Sequence, residues 1–328
     1  MLTDKFGRVH DYLRISLTES CNLRCKYCMP EDFTFPSSLP KHYMTADEID
    51  RIAKIFIDLG INKIRLTGGE PLLRKDAKHI FELLSKYSSP ELNDNPIKLT
   101  ITSNGILVHQ FIDVFKKANL HSVNLSLDTL MPDRFEAITK RNYFHKVLSN
   151  MHLLLQNNFH VKLNVVAMKG VNDDELTDFI QLTRDFPLHV RFIEFMPFQG
   201  NEWNKNKLIS FKEMFDHASH YFEIVALENE KHDTAKKFKV LGHEGTFAFI
   251  NTMSEPFCSD CNRIRLTADG KLKNCLFSKG EIDLLTPLRN GEDIIPLIVS
   301  SIEGKHQKWG GQELFDHSEN RSMISIGG

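Results

Sequence analysis

Along the first two thirds of the chain, short β-favouring runs alternate with longer segments whose apolar residues recur at helical spacing. The runs are Tyr12 to Ser16, Lys63 to Leu66, Lys98 to Thr102, Ser122 to Ser126, Val161 to Val166 and Val190 to Glu194, and their β-branched and aromatic content predicts strands. The first intervening helix is signalled at both ends. Thr45 and Glu48 make a capping-box pair, Ile49, Ile52, Phe56 and Leu59 share one face, and Gly60 marks the stop. Further helices are predicted at about Lys75 to Tyr87, Asp133 to Thr139, His145 to Asn157 and Asp174 to Phe186. Strands separated by helices predict parallel pairing through right-handed crossovers, so the expected fold is α/β, an incomplete TIM-type (β/α)6 barrel short of two units. An open α/β sheet is the alternative.

After Phe195 the pattern changes. Ser210 and Glu213 repeat the capping pair, and strand-like runs follow at Glu223 to Leu227, Phe238 to Leu241 and Thr246 to Ile250. Asp269-Gly270 is a hairpin turn between Ile264 to Thr267 and Lys271 to Leu276, and Glu292 to Ile302 reads as a closing helix. Residues 1–222 are therefore expected to form the partial barrel and residues 223–328 a C-terminal α+β extension. No fixed-period repeat or low-complexity linker separates them.

Apolar residues at 41% and charged residues at 26% are the proportions of an ordinary globular chain. The formal net charge is −2, and the densest basic stretch is Lys236, Lys237 and Lys239, which argues against nucleic acid as a partner while leaving room for a small, highly charged ligand. Met1 to Tyr12 carries no signal-peptide stretch, and the apolar run around Ile294 to Val299 is far short of a membrane span. The expectation is no membrane association and a reducing cytoplasm, where free thiolates persist.

Cysteine spacing changes the picture. All six cysteines fall into two triplets, Cys21-x3-Cys25-x2-Cys28 and Cys258-x2-Cys261-x13-Cys275. Neither triplet pairs off within itself, and 328 residues bury a core without staples, so disulfides are disfavoured. Three thiolates suit a four-iron cluster with one iron left open, and an open position is where chemistry happens. Structural zinc is the rival for the second triplet, but it needs a fourth ligand.

The other unusual residues collect where the predicted strands end. Gly68-Gly69-Glu70-Pro71 follows the second strand, Thr102-Ser103-Asn104-Gly105 the third, Ser126 and Asp128 the fourth, and Met196 the sixth. In a barrel these positions share the C-terminal rim, where TIM-type active sites lie. Gly69 lets backbone approach a ligand, and Glu70 offers a carboxylate to an ammonium group. Arg14, Arg65, Lys162 and Arg191 interrupt strands that otherwise favour apolar residues, and Arg263 and Arg265 lie two apart on one strand face beside Cys261. Interior salt bridges are one reading of these cations. Binding of a phosphate-bearing ligand is the favoured one, because a guanidinium fork gives two charge-assisted hydrogen bonds at once.

With these residues the chain resembles the radical S-adenosylmethionine enzymes: Leu13 to Met29 carries Cys-x3-Cys-x2-Cys, and the Gly-Gly-Glu-Pro run follows it. The segment from Cys258 to Cys275, together with Arg321, Met323 and Ile326-Gly327-Gly328 at the C-terminus, is similar to the GTP 3',8-cyclase family of molybdenum cofactor biosynthesis, nearly end to end. That resemblance implies two 4Fe-4S clusters held by Cys21, Cys25, Cys28 and by Cys258, Cys261, Cys275, with S-adenosyl-L-methionine as cofactor. It assigns Tyr27, Gly69, Ser126 and Met196 to S-adenosylmethionine, and Arg14, Arg65, Thr102, Lys162, Arg191, Arg263 and Arg265 to GTP. Arg263, Arg265, Gly327 and Gly328 become the catalytic expectations, with the tail entering the site. The implied reaction converts GTP to (8S)-3',8-cyclo-7,8-dihydroguanosine 5'-triphosphate, in a homodimer fed by an external one-electron donor, with the product handed to the next enzyme of the pathway.

Two places depart from the family pattern. The loop from Pro30 to Tyr43 has Phe33 and Phe35 where a glycine is expected, and Ser103 stands for the usual threonine. Two rivals remain: a peptide-modifying radical enzyme with an auxiliary cluster, and a non-catalytic metal-binding protein.

Overall fold

Each β-favouring run of the first two thirds becomes a strand, and each predicted helix forms between its neighbours. The computed structural model describes residues 1–30, 32–35, 40–230, 232–312 and 321–327. Leu2–Thr3 (β1) and Val9–His10 (β2) make a small antiparallel hairpin. Then come Tyr12–Ser16 (β3), Ala46–Asp58 (α1), Lys63–Thr67 (β4), Ala77–Ser88 (α2), Lys98–Ser103 (β5), Ile112–Lys117 (α3) and Ser122–Ser126 (β6). Pro132–Thr139 (α4), Phe144–Gln156 (α5), Val161–Ala167 (β7), Leu176–Asp185 (α6) and His189–Glu194 (β8) complete this part. The rest of the chain gives Phe211–Tyr221 (α7), Ile224–Ala226 (β9), Lys236–Val240 (β10), Thr246–Ile250 (β11), Arg263–Leu266 (β12), Lys271–Lys273 (β13), Ile282–Asp283 (β14), Leu285–Arg289 (α8), Ile295–Glu303 (α9) and Met323–Ile326 (α10).

Strands β3 to β8 are parallel neighbours in chain order, as a partial barrel requires. Their odd-depth residues, such as Leu13, Ile15, Ile64, Leu66, Ile101 and Leu163, join Ile52, Phe56, Phe81, Val147, Leu154 and Phe179 of the helices in one core. Apolar area removed from water drives this layer, at about 25 cal/mol per Å². The alternate residues of the same strands are polar or cationic and face the other way.

The C-terminal region does not form a sheet of its own. β12 pairs parallel with β3 and β11 pairs parallel with β8, so both open edges of the six-stranded array are continued, and β10, β9, β13 and β14 extend it antiparallel to twelve strands. An open edge presents unpaired backbone N–H and C=O groups, and the extension satisfies them. The elements that periodicity misses are α3, β14, α8, α10 and the β1–β2 hairpin, all too short to repeat a pattern.

Helix α1 begins as its sequence predicts: Thr45 Oγ1 accepts from the Glu48 N–H while the Glu48 carboxylate accepts from the Thr45 N–H at 2.7 Å. The same carboxylate takes the Arg289 Nε at 2.7 Å, tying α1 to the end of α8. Thr45→Ala is expected to lower stability by about 1 kcal/mol, measured as the urea midpoint of the isolated chain. An unchanged midpoint would remove the cap from the account of this helix.

Candidate active site

Parallel pairing without slippage lays residues of equal depth side by side. Arg265, Arg14, Arg65 and Thr100 are register partners across β12, β3, β4 and β5, and Arg263, Tyr12, Lys63 and Lys98 form the row one step towards the strand starts. On the other flank, Thr102, Asn124, Lys162 and His189 make a third row, and Ser126, Asn164 and Arg191 a fourth. Most of these side chains line one cavity of about 850 Å³ inside the barrel.

The cavity is electropositive and poorly neutralised. Among the described residues no carboxylate forms an ion pair with Arg65, Lys162, Arg191, Arg263 or Arg265. Burial and the neighbouring Arg191 bring the Lys162 ammonium down to about 7, and burial beside Arg65 brings Arg191 down to about 9. Arg265 falls to about 10 through burial and the charge of Arg263. Burial pushes the Tyr12 phenol up, but Arg65, Arg14, Lys63 and Arg263 together outweigh it and bring the group to about 8. The Tyr12 ring also carries the Lys63 Nζ at 4.6 Å and the Arg65 guanidinium at 5.4 Å from its centre, an attraction of cation for ring face. Tyr12 Oη, Thr102 Oγ1, Asn164 Oδ1, Arg191 Nε and Arg263 Nη2 are buried without a hydrogen-bond partner. Buried polar atoms are almost always paired, so this wall is prearranged for a polar, anionic guest.

The first triplet stands at the C-terminal rim, with Cys21, Cys25 and Cys28 all lining the cavity. A turn, in which the Cys28 and Met29 N–H groups donate to the Cys25 carbonyl at 3.0 and 3.3 Å, folds the loop inward. The Arg24 and Lys26 N–H groups fasten it to the end of α4. A Cβ on Gly69 would lie 2.5 Å from the Ser20 carbonyl oxygen, so only glycine lets the second rim loop pass beneath the triplet. Burial and the charges of Cys28, Asp128 and Cys21 push the Cys25 thiol up, and burial with Glu70 raises Cys21 to about 12. Three crowded, half-buried thiols become stable as thiolates when a cationic metal group takes their charge. Tyr27 Oη donates to Asp128 Oδ2 at 2.6 Å, fixing that ring beside the triplet. Phe33 and Phe35 pack edge to face at 5.5 Å, with the Arg24 guanidinium 5.0 Å from the Phe35 ring, and this aromatic pair occupies the stretch where a glycine is expected.

Cys258, Cys261 and Cys275 sit behind the opposite wall. They do not line the cavity, whereas Arg263, Arg265 and Leu276, next to them in the chain, do. Among the described residues no group of three or more His, Cys, Asp and Glu side chains is drawn tight enough for a single metal ion. Three thiolates suit a four-iron cluster, in which each takes a different iron, whereas structural zinc asks for a fourth protein ligand. Helix α10 joins the two triplets: the Ile324 N–H donates to the Cys28 carbonyl at 3.2 Å, while Met323 and Ile326 pack with Met196, Phe198, Cys275 and Phe277. Four helical residues span about 6 Å, so one short helix bridges the Cys28 backbone and the apolar cluster against which Cys275 packs. Arg265 Nη1 donates to the Gly327 carbonyl at 2.6 Å. At Gly327, with φ +76°, a Cβ would meet Thr67 Oγ1 at 2.5 Å. Gly328 lies outside the described residues.

The cavity brings together Arg14, Tyr27, Arg65, Gly69, Thr102, Ser126, Lys162, Arg191, Met196, Arg263 and Arg265, all expected from the sequence. Glu70 is placed differently. It is fully buried off the cavity, and its carboxylate accepts from the Leu72 and Asn104 N–H groups and from Ser103 Oγ. Through these three donors it ties two rim loops together. Ser103 keeps the hydroxyl that this tie needs. The sequence reading overlooks Tyr12, Lys63, Lys98 and Asn164 as wall residues. The spacing of two from Lys63 to Arg65, and from Tyr12 to Arg14, is the signal that could have found the first pair.

The chain matches the Radical SAM superfamily over residues 15–183 and Molybdenum Cofactor Synthesis C over residues 188–310. It is 42% identical over 331 residues to the GTP 3',8-cyclase of Alkaliphilus oremlandii, covering 100% of both chains. It is 44% identical over 333 residues to the mitochondrial GTP 3',8-cyclase of Arabidopsis thaliana, covering 100% of this chain and 84% of that one. Human molybdenum cofactor biosynthesis protein 1 is 44% identical over 99% of this chain, which spans 51% of that relative's length and likewise about half of its bovine and mouse counterparts. In fold, the chain is similar to Streptococcus suis SuiB bound to S-adenosylmethionine, with a TM-score of 0.64 at 15% identity, covering 85% of this chain and 65% of that one.

Anion affinity of the cavity should depend on pH with a definite sign. Lys162 pairs with an anion only when protonated, and its charge is lost as pH rises through about 7. Loss of the Tyr12 proton near 8 acts in the same direction. Binding of inorganic triphosphate, followed by calorimetry, is expected to weaken about tenfold per pH unit above 7 for one linked proton. A flat profile between pH 7 and 9 would detach Lys162 from the anion.

Proposed function

The chain belongs to the GTP 3',8-cyclase family of radical SAM enzymes, and from that premise we propose that it converts GTP to (8S)-3',8-cyclo-7,8-dihydroguanosine 5'-triphosphate in molybdenum cofactor biosynthesis. The observation that carries this reading is the wall of cations and orphaned donors between two thiol triplets. A peptide substrate does not call for such a wall, and a purely structural metal site leaves its buried, unpartnered atoms without a purpose.

Cys21, Cys25 and Cys28 would hold one four-iron cluster and Cys258, Cys261 and Cys275 a second, and with S-adenosylmethionine bound the first would supply the radical chemistry needed to remove a hydrogen from C3' of the GTP ribose. Tyr27, Gly69, Ser126 and Met196 hold S-adenosylmethionine. Arg14, Arg65, Lys162 and Arg191, joined by Lys63, take the triphosphate, whose charge relieves their mutual repulsion. Thr102, Arg263 and Arg265 orient the nucleoside part so that C3' and C8 approach each other. The hydrogen leaves C3', the C3'–C8 bond forms, and one electron and one proton return to the purine, so the nucleotide keeps its mass. The C-terminal tail, fixed by Arg265 on the Gly327 carbonyl, covers the rim and keeps water from the open-shell intermediate.

The reading includes a homodimer, an external one-electron donor, delivery of the product to the next enzyme and a reducing cytoplasm. Among the described residues no helix is long and apolar enough to cross a membrane.

Anaerobic incubation with GTP, S-adenosylmethionine and a strong reductant should yield a nucleotide of GTP mass and altered connectivity, detected by mass spectrometry after derivatisation. S-adenosylmethionine cleavage with GTP returned unchanged would sink the assignment. Arg265→Ala is expected to keep both clusters and uncoupled cleavage while cyclisation drops by about 10² or more through lost positioning. Removal of Gly327 and Gly328 is expected to abolish the product without loss of fold, and full turnover in that truncated chain would free the tail of any role.

A further inference from the structure

Behind the second triplet runs a buried hydrogen-bond chain that starts in the N-terminal hairpin. Asp4 Oδ1 accepts from the Phe6 and Arg8 N–H groups at 2.9 and 3.0 Å, and Asp4 Oδ2 accepts from Arg8 Nε at 2.6 Å and faces His10 Nε2 at 3.1 Å. A carboxylate on Nε2 makes that nitrogen the donor, which leaves Nδ1 as an acceptor. Nδ1 lies 3.5 Å from the Lys305 Nζ. The same Nζ donates to the Arg263 carbonyl at 2.9 Å and to Cys261 Sγ at 3.7 Å.

An ammonium has three N–H donors and no acceptor, and this one meets three acceptors, one of them the sulfur of a triplet cysteine. Lys305 is only 2% exposed, and among the described residues no carboxylate forms an ion pair with it. Asp4, the acid at the far end of the chain, is already taken by Arg8 and His10. A buried ammonium without a counter-ion is costly, and the group placed to balance it is the Cys261 sulfur. Arg8 locks the surroundings: its Nη1 donates to the Cys258 and Gln307 carbonyls at 2.7 and 2.9 Å and its Nη2 to the His306 carbonyl at 2.8 Å. Arg8 therefore ties the hairpin, the turn of Cys258 and Cys261, and the segment after α9 to one another.

We propose that Lys305 is a positioning residue of the second cluster: held by His10 and the Arg263 carbonyl, it directs an ammonium N–H at the Cys261 sulfur and raises the reduction potential of the group bound there. Positive charge and hydrogen bonds at a ligating sulfur favour the reduced state, which carries one more negative charge. The inference rests on the reading of the second triplet as an iron–sulfur site.

The test is Lys305→Met, close in length but without charge or donor, in a full-length chain that also carries Cys21→Ser, Cys25→Ser and Cys28→Ser, so that only the second group is observed. Iron and acid-labile sulfide are measured first, then the midpoint potential by redox titration followed by electron paramagnetic resonance. The expected result is the iron content of the Lys305 control with a potential shifted downward. An unmoved potential at full iron content overturns the proposal and leaves the second cluster standing. A control that binds no iron–sulfur cluster removes the cluster reading and this proposal with it. If the methionine variant does not fold, His10→Leu carries the test, since it keeps Lys305 but withdraws one acceptor. A smaller downward shift is then expected, and a potential equal to the control's overturns the proposal.

Discussion

The interior of this barrel holds cations that repel one another, and among the described residues no carboxylate forms an ion pair with Arg65, Lys162, Arg191, Arg263 or Arg265. Burial and that repulsion depress the basicity of Arg65, Lys162, Arg191 and Arg265, with Lys162 brought down to about 7 by burial and by Arg191. The other face of the same strands is apolar and packed against helices, which holds this arrangement together, and a polyanionic guest would reverse the sign of the interaction. Strand alternation thus serves stability on one face and binding on the other.

A second constraint is the joining of the sheet's two edges to the metal sites. β12 extends the edge at β3 and carries Arg263 and Arg265 into register with Tyr12 and Arg14. The same pairing brings the second triplet behind the cation wall, opposite the first at the rim. The tail completes the arrangement, since α10 touches the backbone of Cys28 and packs with Cys275. A residue of the N-terminal hairpin, His10, meets Lys305 near the other end of the chain, so the backing of the second triplet draws on both termini.

Much of this was legible in the residues. The strands show themselves by β-branched runs, the helix α1 by its capping pair, and the metal chemistry by six cysteines that fall into two triplets, neither of which pairs off within itself. Arg263 and Arg265 were readable as one face because the strand period is two. The partners of Glu70 were not legible, because a carboxylate after two glycines looks free in one dimension; only folding brings Ser103 and the Asn104 N–H to it. Tyr12 and Lys63 were passed over because an aromatic and a lysine at strand starts are unremarkable until parallel pairing sets them beside Arg263.

The sequence by itself determined the local elements, the two cysteine triplets and the resemblance that names the chemistry, since each depends on residue type and spacing over a short stretch. Only the tertiary structure decided that the last strands continue both edges of the first sheet, that the cations align in rows, and that Lys305 turns towards Cys261. These features arise from hydrogen bonds between segments up to some three hundred residues apart, such as Lys305 to His10 at a separation of 295. Spacing along a chain carries no record of which distant backbone groups will satisfy one another.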